Sequence, residues 1–313
     1  MPPLHIDTPL VNSRPLGIAA GRTVFLKLDA LQPSGSFKLR GIGFAAREYV
    51  RRGARRLISS SGGNAGIAVA YAGRALSVPV VVVVPETTSE RAKALIAQEG
   101  AQVMVHGASW QEANAFAESL VSGEDAFLHP FDDALLWQGH SSLIGEVAAA
   151  GVTPDAVVLS VGGGGLLCGV AQGLRDQGWP NVPLIAVETR GADSFSQSLT
   201  AGRRIELAAI TSIATSLGAR QVCARAFDWA GEHPIRSGVV SDAAAVAACV
   251  RFLDDHRLVV EPACGAALAV AYDRSPALAP YQNILVIVCG GATATVAQLQ
   301  HWATTLPTIK TCN

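Results

Sequence analysis

Short runs of consecutive apolar residues alternate along the chain with longer stretches whose apolar positions recur every three to four residues. The short runs read as strands: Val24–Asp29 (VFLKLD), Arg56–Ser61 (RLISSS), Val78–Pro85 (VPVVVVVP), Ala101–Gly107 (AQVMVHG), Asp155–Val161 (DAVVLSV), Pro183–Glu188 (PLIAVE) and Asn283–Gly290 (NILVIVCG). Most are unbroken Val/Ile/Leu segments instead of apolar–polar alternation, as expected of strands covered on both faces of a parallel sheet. Between them lie Ala-rich helical stretches, among them Ala65–Leu76, Leu166–Gln177 and Ser241–Asp255, the last opening on a Ser-Asp start signal. This order predicts an α/β protein of βαβ units, its open, mostly parallel twisted sheets flanked by helices. No internal repeat or low-complexity linker divides it. A two-domain reading encloses 35–137 as a smaller unit, with 1–34 and 138–313 forming the larger one.

Composition narrows the function. Half of the 313 residues are hydrophobic and 16% are charged, against roughly 25% in an ordinary domain, so a thoroughly buried interior is expected. A formal net charge of −1 argues against a nucleic-acid surface, which needs clustered Lys and Arg. The basic run Arg47–Arg56 reads as a solvated helix face. Cys168, Cys223, Cys249, Cys264, Cys289 and Cys312 contain no CxxC pair, so neither a zinc site nor a disulfide framework is indicated. The first residues lack the charged start and long apolar core of a signal peptide, and Val80–Val84 is too short to span a bilayer. A cytoplasmic protein with no membrane partner is expected.

Three glycine-rich segments follow strands and precede helices. Gly162-Gly163-Gly164-Gly165 lets backbone N–H groups converge at a helix N-terminus, where the dipole favours an anion. A phosphate cradle is the reading, because four glycines cost too much chain entropy to serve as a mere connector. No GxxxxGK[ST] occurs, and Cys168 stands where GxGxxG needs its third glycine. Gly41–Ala46 matches GxGxxA but has no preceding strand. Ser59–Gly66 (SSSGGNAG) offers hydroxyls, an amide and helix-start N–H groups suited to a carboxylate, although ordinary capping explains the same residues more simply. Cys289-Gly290-Gly291 closes the last buried strand at the edge where ligands sit in open α/β sheets, and a structural cysteine accounts for it equally well.

Lys38, in Ser34–Gly41 (SGSFKLRG), stands among small residues at the start of a helix. With the glycine loop it suggests a cofactor carrying one phosphate, an aromatic ring and an aldehyde that a lysine traps; pyridoxal phosphate meets each requirement. PSGSFKLRGIG, SSSGGNAG, PFDD, SVGGGGLLCGV, VETRGADSF, EHPI, VEPACGAAL and VIVCGG occur in order over nearly the whole chain. In them the chain resembles the fold-type-II pyridoxal-phosphate enzymes and, within these, the serine/threonine dehydratases, nearest the catabolic serine dehydratase branch and its dehydratase-like relatives.

The resemblance implies an ammonia-lyase that eliminates water from L-serine or L-threonine to give a 2-oxo acid and ammonia. It implies that Lys38 holds the cofactor and acts as the base at Cα, with Phe37 along one ring face and Ser216 near the other. Gly162, Gly163, Gly164 and Gly165 would bind the phosphate, Asn64 the ring hydroxyl, and Cys289 would face the ring nitrogen. Ser61, Gly62, Asn64 and Ala65 would receive the substrate carboxylate, with Phe131 walling the pocket. A monovalent cation, potassium by expectation, would sit among Gly162, Glu188, Ala192, Ser194, Leu217 and Ala219, mostly on carbonyls. A homodimer is implied likewise. A thiol gives the ring nitrogen only a weak hydrogen bond, which favours β-elimination over transamination. Gly62 stands where the main serine dehydratases carry alanine, which should loosen the carboxylate pocket.

Rivals of the same fold are serine racemase, threonine synthase and cysteine synthase. Arg40, two places after the lysine, favours the dehydratases, and Leu39 occupies the place where the sulfhydrylases carry an acid. Racemase relatives carry a serine where Gly62 stands. Outside the fold, a dinucleotide-binding oxidoreductase lacks the third glycine. A cofactor-binding protein without turnover is the other alternative.

Overall fold

The structure, a computed structural model, describes residues 2–307; Cys312 lies outside them. The chain runs β1 (Leu10–Asn12), α1 (Arg14–Ala20), β2 (Thr23–Lys27), α2 (Lys38–Arg51), β3 (Arg56–Ser59), α3 (Asn64–Leu76), β4 (Val80–Val84), α4 (Glu90–Gln98), β5 (Gln102–Val105), α5 (Trp110–Ser119) and β6 (Asp125–Phe127). It continues α6 (Ala134–Ala149), β7 (Ala156–Ser160), α7 (Gly165–Asp176), β8 (Leu184–Thr189), α8 (Ser194–Ala201), α9 (Ala224–Glu232), β9 (Ile235–Val240), α10 (Asp242–His256), α11 (Pro262–Tyr272), β10 (Asn283–Ile287) and α12 (Val296–Thr305).

Two sheets form. One has the order β1-β2-β10-β7-β8-β9, the other β5-β4-β3-β6. All pairings are parallel except β1 with β2. The unbroken apolar strands are those buried on both faces: β4, β7 and β8 have no exposed residue. Each expected strand is present. β1, β6 and β9 went unpredicted because the first two span three residues each and β9 (IRSGVV) is a half-exposed edge. The boundary expected at residue 137 falls inside α6, which packs on both α2 and α7.

Parallel strands align their C-terminal ends, and here those ends carry the three glycine-rich segments. The segment ahead of α2 is fastened to the end of β10. Ser36 bridges Gly290, Phe37 N–H donates to the Cys289 carbonyl (2.8 Å), and Gly291 N–H donates to the Gly35 carbonyl (3.1 Å). Gly35 sits at φ +77°, and a Cβ there would press within 2.8 Å of Ala292 Cβ, so glycine is required. Gly41–Ala46 lies inside α2, which removes it as a phosphate loop. Beneath α2, the buried Arg40, Asp29 and Lys27 form an ion cluster with the half-buried Glu146.

Candidate active site

Lys38 opens α2, with Phe37 as the preceding cap residue. Its ammonium donates to the Pro130 carbonyl at 2.6 Å and lies 5.1 Å from the Phe37 ring centroid. The residue is half-buried, yet desolvation pulls its pKa down to about 8, against the nearby Glu261 carboxyl, which favours the charge. A lysine so placed supplies a free amine close to neutral pH.

Pro130 leads directly to the glycine loop. The Phe131 ring lies against Gly163, where any Cβ would collide with it, and the Phe131 carbonyl would meet a Cβ on Gly165 at 2.8 Å. Gly164, the cap of α7, has φ +95°. Gly162 packs on the backbone of Ser216 and Leu217, 3.1 and 3.0 Å from where its Cβ would be. The loop is therefore glycine at each position for want of space, and its backbone is left open at a helix start, the form of an anion cradle. His129 shapes the approach: its Nδ1 accepts the N–H groups of Phe131 (3.2 Å) and Asp132 (2.8 Å). Burial and the Lys38 charge push its pKa down to about 4, so it is a neutral structural histidine. Asp133 caps α6 through the Leu135 N–H, 2.8 Å. Trp110, which carried no signal in the sequence, stands 6.4 Å from Phe131 and 6.2 Å from His129.

Asn64 opens α3 and is buried. Its Nδ2 donates to Glu261 Oε1 at 2.7 Å and lies 3.5 Å from Ser216 Oγ, while its buried Oδ1 has no partner. An orphaned acceptor in such a place fits an incoming polar group. Cys289 is buried nearby; a hydrogen bond with Cys264 and then burial hold its thiol pKa well above the ordinary value, so it carries a proton and no charge. Glu261 was not singled out from the sequence. Its only signal there is a lone acid ahead of a helix-starting proline in VEPACGAAL, which any helix cap would share.

Ser61, Gly62 and Ala65 surround the start of α3, and the Ser61 hydroxyl accepts the Gly63 N–H at 3.3 Å. The loop doubles back so tightly that a Cβ on Gly66 would collide with the Ser61 carbonyl. The methyl that Gly62 lacks leaves no gap: its place lies 2.6 Å from Thr88 Oγ1 and 2.7 Å from Thr88 Cγ2. Gly62→Ala is therefore expected to destabilise the protein by about 1–3 kcal/mol through overpacking, measured by urea unfolding. Adding Thr88→Ala should recover most of that loss; a double variant no more stable than Gly62→Ala would show the clash to be elsewhere.

The expected cation residues form two neighbouring groups. Gly162 packs on Leu217, while Glu188 accepts the N–H groups of Phe195 (2.9 Å) and Ser196 (2.7 Å) from the turn carrying Ala192 and Ser194. Val161 N–H donates to the Val187 carbonyl at 2.8 Å, so Gly162 and Glu188 leave adjacent strands side by side. Leu217 accepts the Ala219 N–H (2.8 Å), and Ser194 Oγ is buried without a partner. Glu188 is fully buried, and desolvation raises its pKa to about 8 despite two backbone donors.

A family model described as pyridoxal-phosphate dependent enzyme matches residues 1–290. The chain is 49% identical to a mouse protein named serine dehydratase-like over 96% of this chain and 94% of that protein. It is 47% identical to a cattle L-serine dehydratase/L-threonine deaminase over 95% and 94%. Its fold superposes with TM-score 0.90 on a fungal L-serine ammonia-lyase from Rhizomucor miehei, at 37% identity, covering 96% of this chain and 99% of that one.

Proposed function

Because this chain belongs to the pyridoxal-phosphate dependent enzymes, we propose that it is an L-serine/L-threonine ammonia-lyase, releasing a 2-oxo acid and ammonia by β-elimination of water. The observation that carries the reading is the desolvated Lys38 ammonium joined through Pro130 and Phe131 to the Gly162–Gly165 loop. The residues fit the cofactor: a glycine cradle for its phosphate, an orphaned buried amide oxygen on Asn64 for a ring substituent, and an amine for its aldehyde.

In this reading the backbone N–H groups of Gly162, Gly163, Gly164 and Gly165 hold the phosphate, and Asn64 meets the ring hydroxyl. Phe37 and Ser216 bound the two ring faces. Cys289 meets the ring nitrogen as a neutral thiol, adding no charge there. When bound, the cofactor supplies an aldehyde that takes the substrate amine and a ring that draws electron density from Cα. Ser61, Gly62, Asn64 and Ala65 orient the carboxylate, Phe131 covers the side chain, and Lys38 takes the Cα proton. Supplied with pyridoxal phosphate and potassium, the protein should release pyruvate from L-serine and 2-oxobutanoate from L-threonine. Release from neither, with cofactor bound, would transfer the reading to the racemases or β-replacement enzymes of the same fold.

The proposal includes a monovalent cation on Glu188 and the carbonyls of Gly162, Ala192, Ser194, Leu217 and Ala219. A buried acid with no counter-charge among the described residues, and an orphaned Ser194 hydroxyl one residue before the N–H groups that this acid accepts, support this site; hard cations favour such oxygen ligands. Glu188 titrates higher in the folded chain than in the unfolded one, so without a cation stability falls as pH rises from about 4.5 to about 8. A cation binds the ionised form and offsets that loss. Potassium should therefore raise the melting temperature more at pH 8.5 than at pH 6; an equal rise at both would remove Glu188 from the site. The proposal also takes in a cytoplasmic homodimer with 35–137 as its small domain. Among the described residues, no helix is long and apolar enough to cross a membrane.

A further inference from the structure

Glu261 is the N-terminal cap residue of α11, with Pro262 fixing the first helical position, and its own N–H donates to the Gly290 carbonyl at 3.2 Å. The residue is 5% exposed. Its carboxylate accepts from Asn64 Nδ2 (2.7 Å) on one oxygen and from Thr293 Oγ1 (3.1 Å) on the other, and Ser216 Oγ lies 3.5 Å from the same Asn64 Nδ2. Its backbone carbonyl takes the Cys249 thiol (3.2 Å) and the N–H groups of Cys264 and Gly265. An acid this enclosed and this fully bonded, and not adjacent to a cation at salt-bridge distance, costs free energy to bury. Ordinary helix capping does not require it, because a short Ser or Asp would cap α11 while reaching none of these partners.

We propose that Glu261 is a positioning residue for the reaction. It holds the Asn64 amide in one orientation and supplies the negative charge that stabilises a protonated nitrogen on Lys38. An amide can present either its oxygen or its nitrogen to a ligand, and X–NH₂ against X=O is a choice between donor and acceptor. A carboxylate accepts only, so it binds Nδ2 and leaves Oδ1 as the unpartnered atom, as found. Thr293 is tied to the same carboxylate and Ser216 to the same Asn64 amide, so side chains from four separate segments of the chain form one bonded network. The charge has its own effect. Glu261 N–H bonds the Gly290 carbonyl, and Ser36, two residues before Lys38, bridges the same Gly290, which brings the acid to the lysine's segment, where it opposes the desolvation that lowers the amine's pKa. The other titratable groups facing the acid and the amine are the Cys249 and Cys289 thiols, held protonated, Cys264 and Cys223, and the His129 and His140 rings, which burial and the Lys38 charge keep neutral. Burial pushes the Glu261 carboxyl upward, while Ser216, Thr293, Asn64 and Lys38 pull it back.

The inference rests on the proposed cofactor and is read from its absorbance. In the wild type, the near-visible band that borohydride abolishes is titrated with pH, and cofactor affinity is measured by fluorescence quenching. Glu261→Gln keeps the shape and removes the charge. It should lower the midpoint of the band's titration by about one pH unit and weaken cofactor binding about tenfold, since a neutral amide accepts on one oxygen only. Glu261→Asp, charged but shorter, should restore the midpoint more than the affinity. Thr293→Val, which removes one donor and leaves the acid in place, should move the midpoint in the same direction by less, and it decides the matter if Glu261→Gln does not fold. A wild-type band with an unchanged midpoint and affinity in the variants overturns the role of Glu261 alone. No lysine-dependent band in the wild type overturns it together with the proposed cofactor site.

Discussion

Lys38→Ala should release 2-oxo acid from L-serine at least about a thousandfold more slowly than the wild type, because in the proposed mechanism both the covalent hold on the cofactor and the base at Cα are lost. The fold should survive. The side chain makes one hydrogen bond, to the Pro130 carbonyl, worth about 1 kcal/mol net, and its removal also relieves the cost of a desolvated ammonium. Stability is therefore expected to change by no more than about 1 kcal/mol in urea, while the borohydride-sensitive band disappears. Lys38→Arg sharpens the test. A guanidinium keeps the positive charge near Phe37 and can still donate to Pro130, but it does not deprotonate in a protein. If charge and packing were what position 38 contributes, Lys38→Arg would retain much of the rate; if a free amine is needed, it fails as completely as alanine. Retention of more than a few per cent by either variant would remove Lys38 from the chemistry.

The parts of this site that were legible in the sequence are those where a local rule is broken. Four consecutive glycines and a lysine among small residues are each expensive or unusual locally, and the structure brings them to one strand edge. Val80–Val84 was legible for the opposite reason: a run apolar on every residue fits only a strand covered on both faces. Glu261 breaks no local rule. An acid before Pro262 looks like any helix start, and its meaning comes from Asn64, Ser216 and Thr293, none of them near it in sequence. Gly62 failed in the other direction. Its missing methyl suggested an emptier pocket, but Thr88, from the turn after β4, fills that place. Neither could be seen without the long-range pairing of elements.

Arg40 is a further such case, since two places after Lys38 it served only as a mark of the dehydratase pattern, whereas its physical role lies in the interior. Its guanidinium is fully buried and grips Asp29 with two bonds, Nε to Oδ2 at 2.7 Å and a terminal nitrogen to Oδ1 at 2.9 Å. It also bonds both oxygens of Glu146 and the Thr8 hydroxyl, and Lys27 closes the cluster on Glu146. Asp29 is itself fully buried; without Arg40 its remaining side-chain partner is Thr8 Oγ1 at 2.7 Å. Removing one member of a buried pair leaves an uncompensated charge and costs about 3–5 kcal/mol, so Arg40→Met should lose that much in urea unfolding despite similar bulk. Glu146 keeps Lys27 and contributes little to the loss. The penalty therefore belongs to Asp29, and Asp29→Asn in the Arg40→Met background should recover about half of it, because a neutral amide costs less to bury than a carboxylate. Arg40→Lys should fall between, since an ammonium cannot make the two-pronged contact. The consequence reaches the site through geometry alone: the cluster fastens α2 to the N-terminal segment and to α6, and Lys38 stands two residues before Arg40 at the head of that helix. An Arg40→Met variant that loses less than about 1 kcal/mol would mean that water reaches Asp29, and that the mooring of α2 lies in its apolar contacts instead.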